Sequence, residues 1–138
     1  MRMFFKTLTI SALICLGLAL SPMEGKAAET GEAYEHHKIM QLVKAISELR
    51  AVFIRNGSEY SSEEAGNHMK YKLDVAGNRI QTAKEFIDKV ASKSYLTGQP
   101  YMIRFNDGTT RPSHDWLMEK LYTIESRAGT TSTAGAGA

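Results

Sequence analysis

Ala51-Val52-Phe53-Ile54-Arg55-Asn56-Gly57-Ser58-Glu59-Tyr60-Ser61-Ser62-Glu63-Glu64 is the stretch on which the fold turns. Val52, Phe53 and Ile54 are β-branched or aromatic, and Asn56-Gly57 directly after them is a turn dipeptide. A short strand over Val52 to Arg55 is therefore expected, closed by a turn. Ser61 followed three residues later by Glu64 forms a capping box. The hydroxyl accepts from a first-turn backbone N–H while the carboxylate reaches back, which predicts a helix from Ser62 to about Asp74 with Ala65, Met69 and Leu73 turned inward.

Upstream, Ile39, Leu42, Val43, Ile46, Leu49 and Phe53 recur at helical spacing, so a helix is expected from Glu29 to about Ala51. Glu32, Glu35, Lys38, Lys44, Glu48 and Arg50 fall on its other faces, which are read as solvated. Downstream, Thr82 with Glu85 repeats the hydroxyl-and-Glu start and opens a helix to about Lys93 with Phe86, Ile87 and Val90 inside. Tyr101 to Phe105 alternates like a strand able to pair with Val52–Arg55, and Asn106-Asp107-Gly108 is a hairpin signal with a short return strand at Thr109–Arg111. Ser113 is placed to cap a last helix that turns Trp116, Leu117, Leu121 and Ile124 inward and leaves Lys120 and Glu125 outside. The order of elements predicts a small, mostly helical α+β domain with a two- or three-stranded sheet.

The two ends read differently from this middle. Arg2 and Lys6 precede an uncharged apolar run from Leu8 to Leu20, a break at Ser21-Pro22, and small residues at Gly25 and Ala27. This is the pattern of a cleavable export signal over residues 1–27; a permanent membrane anchor, which needs about 20 apolar residues, is the weaker reading. It divides the chain into leader 1–27, domain 28–128 and a disordered tail 129–138 rich in Gly, Ala and Thr. The leader holds three of the 17 Lys and Arg and one of the 15 Asp and Glu, so the mature chain carries 14 of each sign. A balance of zero removes the electrostatic case for nucleic-acid binding. Cys15 departs with the leader, so neither a disulfide nor thiol chemistry is expected of the mature protein.

Phe53-Ile54-Arg55-Asn56-Gly57, Glu63-Glu64-Ala65, His68-Met69-Lys70-Tyr71-Lys72, Asn78-Arg79-Ile80, Thr82-Ala83, Phe86 through Ser92, Ser94, Thr97-Gly98 and Pro100-Tyr101 form one ordered series. The series, spanning Val52 to Ile103, resembles the YfeK-like family of small exported bacterial proteins, a domain of unknown function. The resemblance implies export from a bacterial cell and a shared fold, and brings with it no activity, cofactor or catalytic residue. Two positions depart from the pattern: Tyr95, where a small Ser-like residue is expected, and Ser62, where some relatives carry Cys.

The candidate binding residues are Arg55, Asn56, His68, Lys72, Arg79, Ser92, Ser94 and Tyr101. His68 and Lys72 are four apart and share a helix face, which with Arg55 and Arg79 would make an anion-binding or proton-transfer patch. They read equally as a hydrogen-bonded half-buried histidine and a lysine snorkelling to solvent. Arg55-Asn56-Gly57 pairs a donor fork with a turn that lets backbone approach a ligand, or simply closes a turn with Arg55 paired to Glu63 or Glu64. Ser92, Ser94, Thr97 and Tyr101 gather hydroxyls around a loop, where they can also satisfy helix carbonyls. His36 and His37 are adjacent and point apart, so no metal and no cofactor is expected.

The resulting expectation is a periplasmic or secreted, non-enzymatic module that binds an envelope protein, a peptide or a small anionic ligand. Its membrane contact would be confined to the leader. A structural envelope protein without a ligand is the alternative. Further off is a small envelope hydrolase, or an inhibitor of one, using His68 as base with Ser92 or Ser94.

Overall fold

The computed structural model describes residues 24–133, with side chains over 31–129. The leader read over 1–27 and the tail read over 129–138 therefore lie largely outside the described residues. Helix α1 spans Glu24–Glu48, strand β1 Val52–Arg55, β2 Ser58–Ser61 and α2 Ser62–Ala76. A single 3-10 turn, Gly77–Arg79, leads to α3, Ala83–Phe86, which widens into a π turn over Ile87–Ala91. Strands β3, Met102–Arg104, and β4, Thr110–Pro112, precede α4, Ser113–Thr133, which stays helical beyond Ala128, where the domain was expected to end.

The strands form one antiparallel sheet in the order β2-β1-β3-β4. β1 is central: Phe53 lies opposite Tyr60 on one side and Ile103 on the other. This confirms the expected pairing of the two distant strands and corrects the strand count to four. β2 escapes the periodicity because three of its residues, Ser58, Glu59 and Ser61, are polar and exposed, as befits an edge strand. The turn before it uses left-handed backbone at both Asn56 (φ 51°) and Gly57 (φ 78°), the conformation of a tight two-residue hairpin.

Side chains alternate across a strand, so Phe53, Arg55 and Ile103 share the face covered by helices. Against that face α1 packs Ile39, Leu42, Val43 and Ile46. α2 adds Ala65 and Met69, the α3 region Phe86, Ile87 and Val90, and α4 Trp116, Leu117 and Leu121. The opposite face carries Arg104, which forks onto Glu59 across β1 at 2.7 and 2.8 Å.

The capping box is formed as expected. The Glu64 N–H donates to Ser61 Oγ, and Glu64 Oε2 accepts from the Ser61 N–H at 2.8 Å. At the third helix the Thr82 hydroxyl accepts from the Glu85 N–H, but the Glu85 carboxylate takes the Gln81 N–H instead. Ser113 does not cap α4: it is the helix's first residue, buried, and its hydroxyl donates to the Ala91 carbonyl. Lys38, placed outside by its spacing, is also buried. Its ammonium lies 2.7 Å from Glu35 and 2.8 Å from Glu125 of α4, and Glu35 in turn accepts the Ala83 N–H at 2.8 Å. Burial alone would disfavour the charge of Lys38, yet the hydrogen bonds to Glu125 and Glu35 leave its pKa raised.

Gly66 sets how closely α1 and α2 approach. A Cβ there would lie 1.9 Å from Ser47 Oγ, 3.0 Å from Ser47 Cβ and 3.2 Å from its Cα, so the hydroxyl must rotate off the Val43 carbonyl and the two helices must part slightly. Gly66→Ala should therefore lower stability in urea unfolding by about 1–3 kcal/mol, and adding Ser47→Gly should recover part of the loss. Unchanged stability of Gly66→Ala would show that the two helices are free to separate.

Candidate functional site

A cleft of about 310 Å³ opens where the end of β1 meets the first turns of α2. Arg55 reaches it because it follows Phe53 by two residues on the helix-covered face, and His68 because it neighbours the buried Met69 on α2. Arg55 Nη1 donates to His68 Nε2 at 2.5 Å, Nη2 donates to Tyr60 Oη at 3.1 Å, and the guanidinium lies 4.7 Å from the centre of the Tyr60 ring. A guanidinium has no lone pair to offer, so Nε2 must be the acceptor, and the ring proton of the neutral imidazole is on Nδ1. Burial holds the His68 pKa below the usual histidine range, and the charges of Arg55 and Lys72 push in the same direction.

Lys72, one helical turn beyond His68, is half-buried, with its ammonium turned toward backbone carbonyls and the Tyr101 hydroxyl. It donates to the carbonyls of Val90 and, at 3.4 Å, Lys93, and to the Tyr101 hydroxyl at 3.4 Å, and it lies 5.1 Å from the centre of that ring. Burial, seconded by the Arg55 charge, lowers its pKa to about 8. Tyr101 forms part of the cleft wall, and burial raises the pKa of its phenol. Among the described residues neither Arg55 nor Lys72 has a carboxylate partner. Glu64 lines the cleft, but its carboxylate is engaged by the Ser61 N–H and hydroxyl, so the expected pairing of Arg55 with Glu63 or Glu64 is replaced by His68 and Tyr60.

The structure thus brings Arg55, His68, Lys72 and Tyr101 together and leaves the other candidates elsewhere. Arg79 folds back on its own helix, donating to the Ala76 and Val75 carbonyls at 3.0 Å each. Ser92 is buried with its hydroxyl on the Ile87 carbonyl at 2.6 Å, satisfying the widened π turn. Asn56 and Ser94 belong to a loop clasp: Thr97 Oγ1 donates to Asn56 Oδ1 at 2.7 Å, and Asn56 Nδ2 donates to Ser94 Oγ at 3.4 Å. The hydroxyls proposed to pair with His68 are committed to these contacts, while His68 Nε2 is occupied by Arg55. Tyr60 is the member that the sequence reading missed, since only recognition of β2 puts it beside Arg55. No group of three or more metal-ligating side chains occurs among the described residues, and no described helix is long and apolar enough to cross a membrane.

The half-buried Lys72 makes a measurable contribution to pH dependence. With a folded-state pKa near 8, Lys72 releases its proton earlier than in the unfolded chain, so the unfolded state binds more protons above that pH and stability should rise from about pH 8 toward about pH 10. In urea unfolding followed by Trp116 fluorescence, Lys72→Met should flatten that rise relative to the parent. Parallel profiles would mean that the ammonium is fully solvated.

The comparisons with known proteins agree with the ordered series of residues that resembles the YfeK-like family. The uncharacterized protein YfeK of Salmonella typhimurium is 44% identical over 70 residues, 50% of this chain and 58% of that protein. The chain thus spans little more than half the length of the curated relative it matches. No solved structure matches it. The match to a family of unknown function, DUF5329, extends over residues 33–125, from the middle of α1 to the Lys38 partner Glu125 in α4, and the chain belongs to that family.

Proposed function

We propose that the chain is an exported, non-enzymatic binding module that takes a small anion with an apolar body in the cleft between β1 and α2. The observation that carries this reading is the half-buried Arg55 guanidinium, held by two neutral partners, His68 and Tyr60, and by no carboxylate. A guanidinium pre-oriented in this way, with donors still uncommitted, is suited to a planar or tetrahedral anion. The cleft volume is at the small end of ligand sites, roughly 300–1,000 Å³, and Phe53, Ala65 and Met69 supply apolar wall. Export rests on the leader pattern of residues 1–27. A binding role is favoured over hydrolysis because the hydroxyls nearest in sequence to a nucleophile role serve backbone carbonyls and the loop.

Benzenesulfonate is a suitable probe because its charge does not change near neutrality. It should bind saturably in amide NMR titrations, with shifts centred on Arg55 and His68, and Arg55→Gln should weaken it at least about tenfold. Absence of saturable shifts in the parent would end the reading.

Proton linkage provides a second check. An anion beside His68 offsets the cations that keep it neutral, so binding should raise its pKa, and affinity should increase as pH falls through the histidine range. His68→Asn should remove that dependence. For stability without ligand the sign is opposite: the contribution of neutral His68 is complete above the unfolded pKa of about 6.5 and is lost as pH falls below it.

A further inference from the structure

Beyond Lys72, on the side away from the cleft, lies a second and larger recess of about 940 Å³ between the C-terminal half of α2, the π turn and the loop 93–98. We propose that this groove docks an extended acidic peptide segment of a partner protein, one in which carboxylates alternate with apolar side chains.

Its apolar lining is largely open to solvent. Tyr71 and Val75, four apart on α2, are 66% and 59% exposed, and Tyr95 stands on the opposing loop at 92% with Leu96 beside it at 90%. The loop is not a loose strap. Besides the Thr97 and Ser94 links to Asn56, the Ser94 N–H donates to the Gln99 carbonyl and the Gly98 N–H to the Ser94 carbonyl, each at 2.9 Å. Gly98 turns the chain with φ 69°. Tyr95 is thus presented on ordered backbone, which lowers the entropy lost on docking.

Charge selects the occupant. Lys72, Arg79, Lys89 and Lys93 line the groove against a single acid, Asp88. Asp88 is already neutralised by Lys84 at 2.5 Å and faces His114 at 3.3 Å, and Lys89 is paired with Glu85 at 2.5 Å. Lys72, Arg79 and Lys93 have no carboxylate among the described residues, and the two backbone bonds of Arg79 fix the direction of its remaining donors. A fixed arginine beside exposed tyrosines is a combination enriched at protein interfaces. The groove is open and lined from α2, the π turn and the loop 93–98, which gives an extended chain several elements to contact at once. Its apolar residues line a concavity between elements, whereas insertion into a bilayer needs them on a convex crown.

The test is to pan a random peptide display library on the chain and measure enriched peptides by fluorescence anisotropy. Acidic peptides with interspersed apolar residues should be enriched. Their affinity should fall at least about tenfold in Tyr95→Ser/Arg79→Gln and decrease with added salt, while Arg55→Gln, acting only through the shared Lys72, should change it much less. Both substituted side chains are exposed, and circular dichroism would verify that the variant folds. Enrichment of peptides without acidic character, binding indifferent to the double substitution, or sensitivity only to Arg55→Gln would each overturn the proposal. So would binding to phosphatidylglycerol vesicles, lost in the same variant, in the absence of any peptide binder.

Discussion

The register of β1 governs the molecule. Phe53 sits between Tyr60 and Ile103 at the middle of the sheet, and β1 is hydrogen-bonded to a neighbour on each side. With a period of two, the register that buries Phe53 also directs Arg55 beneath α2 and leaves Arg104 and Glu59 on the opposite face. A shift by one residue would exchange those faces, exposing the aromatic ring and withdrawing the guanidinium from His68. The core and the cleft are therefore set by one alignment.

The distribution of charge sets the cleft apart from the ion-paired parts of the molecule. Lys38, Lys84, Lys89, Arg104 and Arg111 each meet a carboxylate, as is usual where ion pairs serve to neutralise and orient. Apart from the buried Lys38, these pairs are exposed and add little to stability. At the cleft, cations meet an imidazole, two phenols and backbone carbonyls instead. Such partners preserve the positive charge while removing part of its water, an arrangement that favours an incoming anion over free solvent ions.

Much of the fold is legible in the chain because local signals and tertiary packing agree. The α1 stripe, the Ser61–Glu64 box, the strand at Phe53 and the buried Trp116 all carry periodicity or cap chemistry strong enough to stand alone. β2 does not, since an edge strand facing water needs no apolar alternation, and with β2 goes Tyr60. Lys38 misleads because its helical position was judged on α1 alone, whereas Glu125 arrives from far along the chain. Ser113 misleads for a similar reason: its hydroxyl donates to the carbonyl of Ala91, in the π turn, and does not accept from an N–H of its own helix. Of the candidate site, the four-residue spacing of His68 and Lys72 was readable, while Arg79 and Ser92 were drawn away by helix-end carbonyls that no spacing reveals.

The contact between Lys72 and Tyr101 has a thermodynamic consequence. Tyr101 walls the cleft and Lys72 lines the groove, so the two recesses share a partition containing one desolvated cation. A negative occupant on either side draws on the same charge, and the field it leaves for the other side is weaker. For the two proposed ligands, linkage would make this antagonism reciprocal: each would lower the affinity of the other by the same factor, with no change of backbone required.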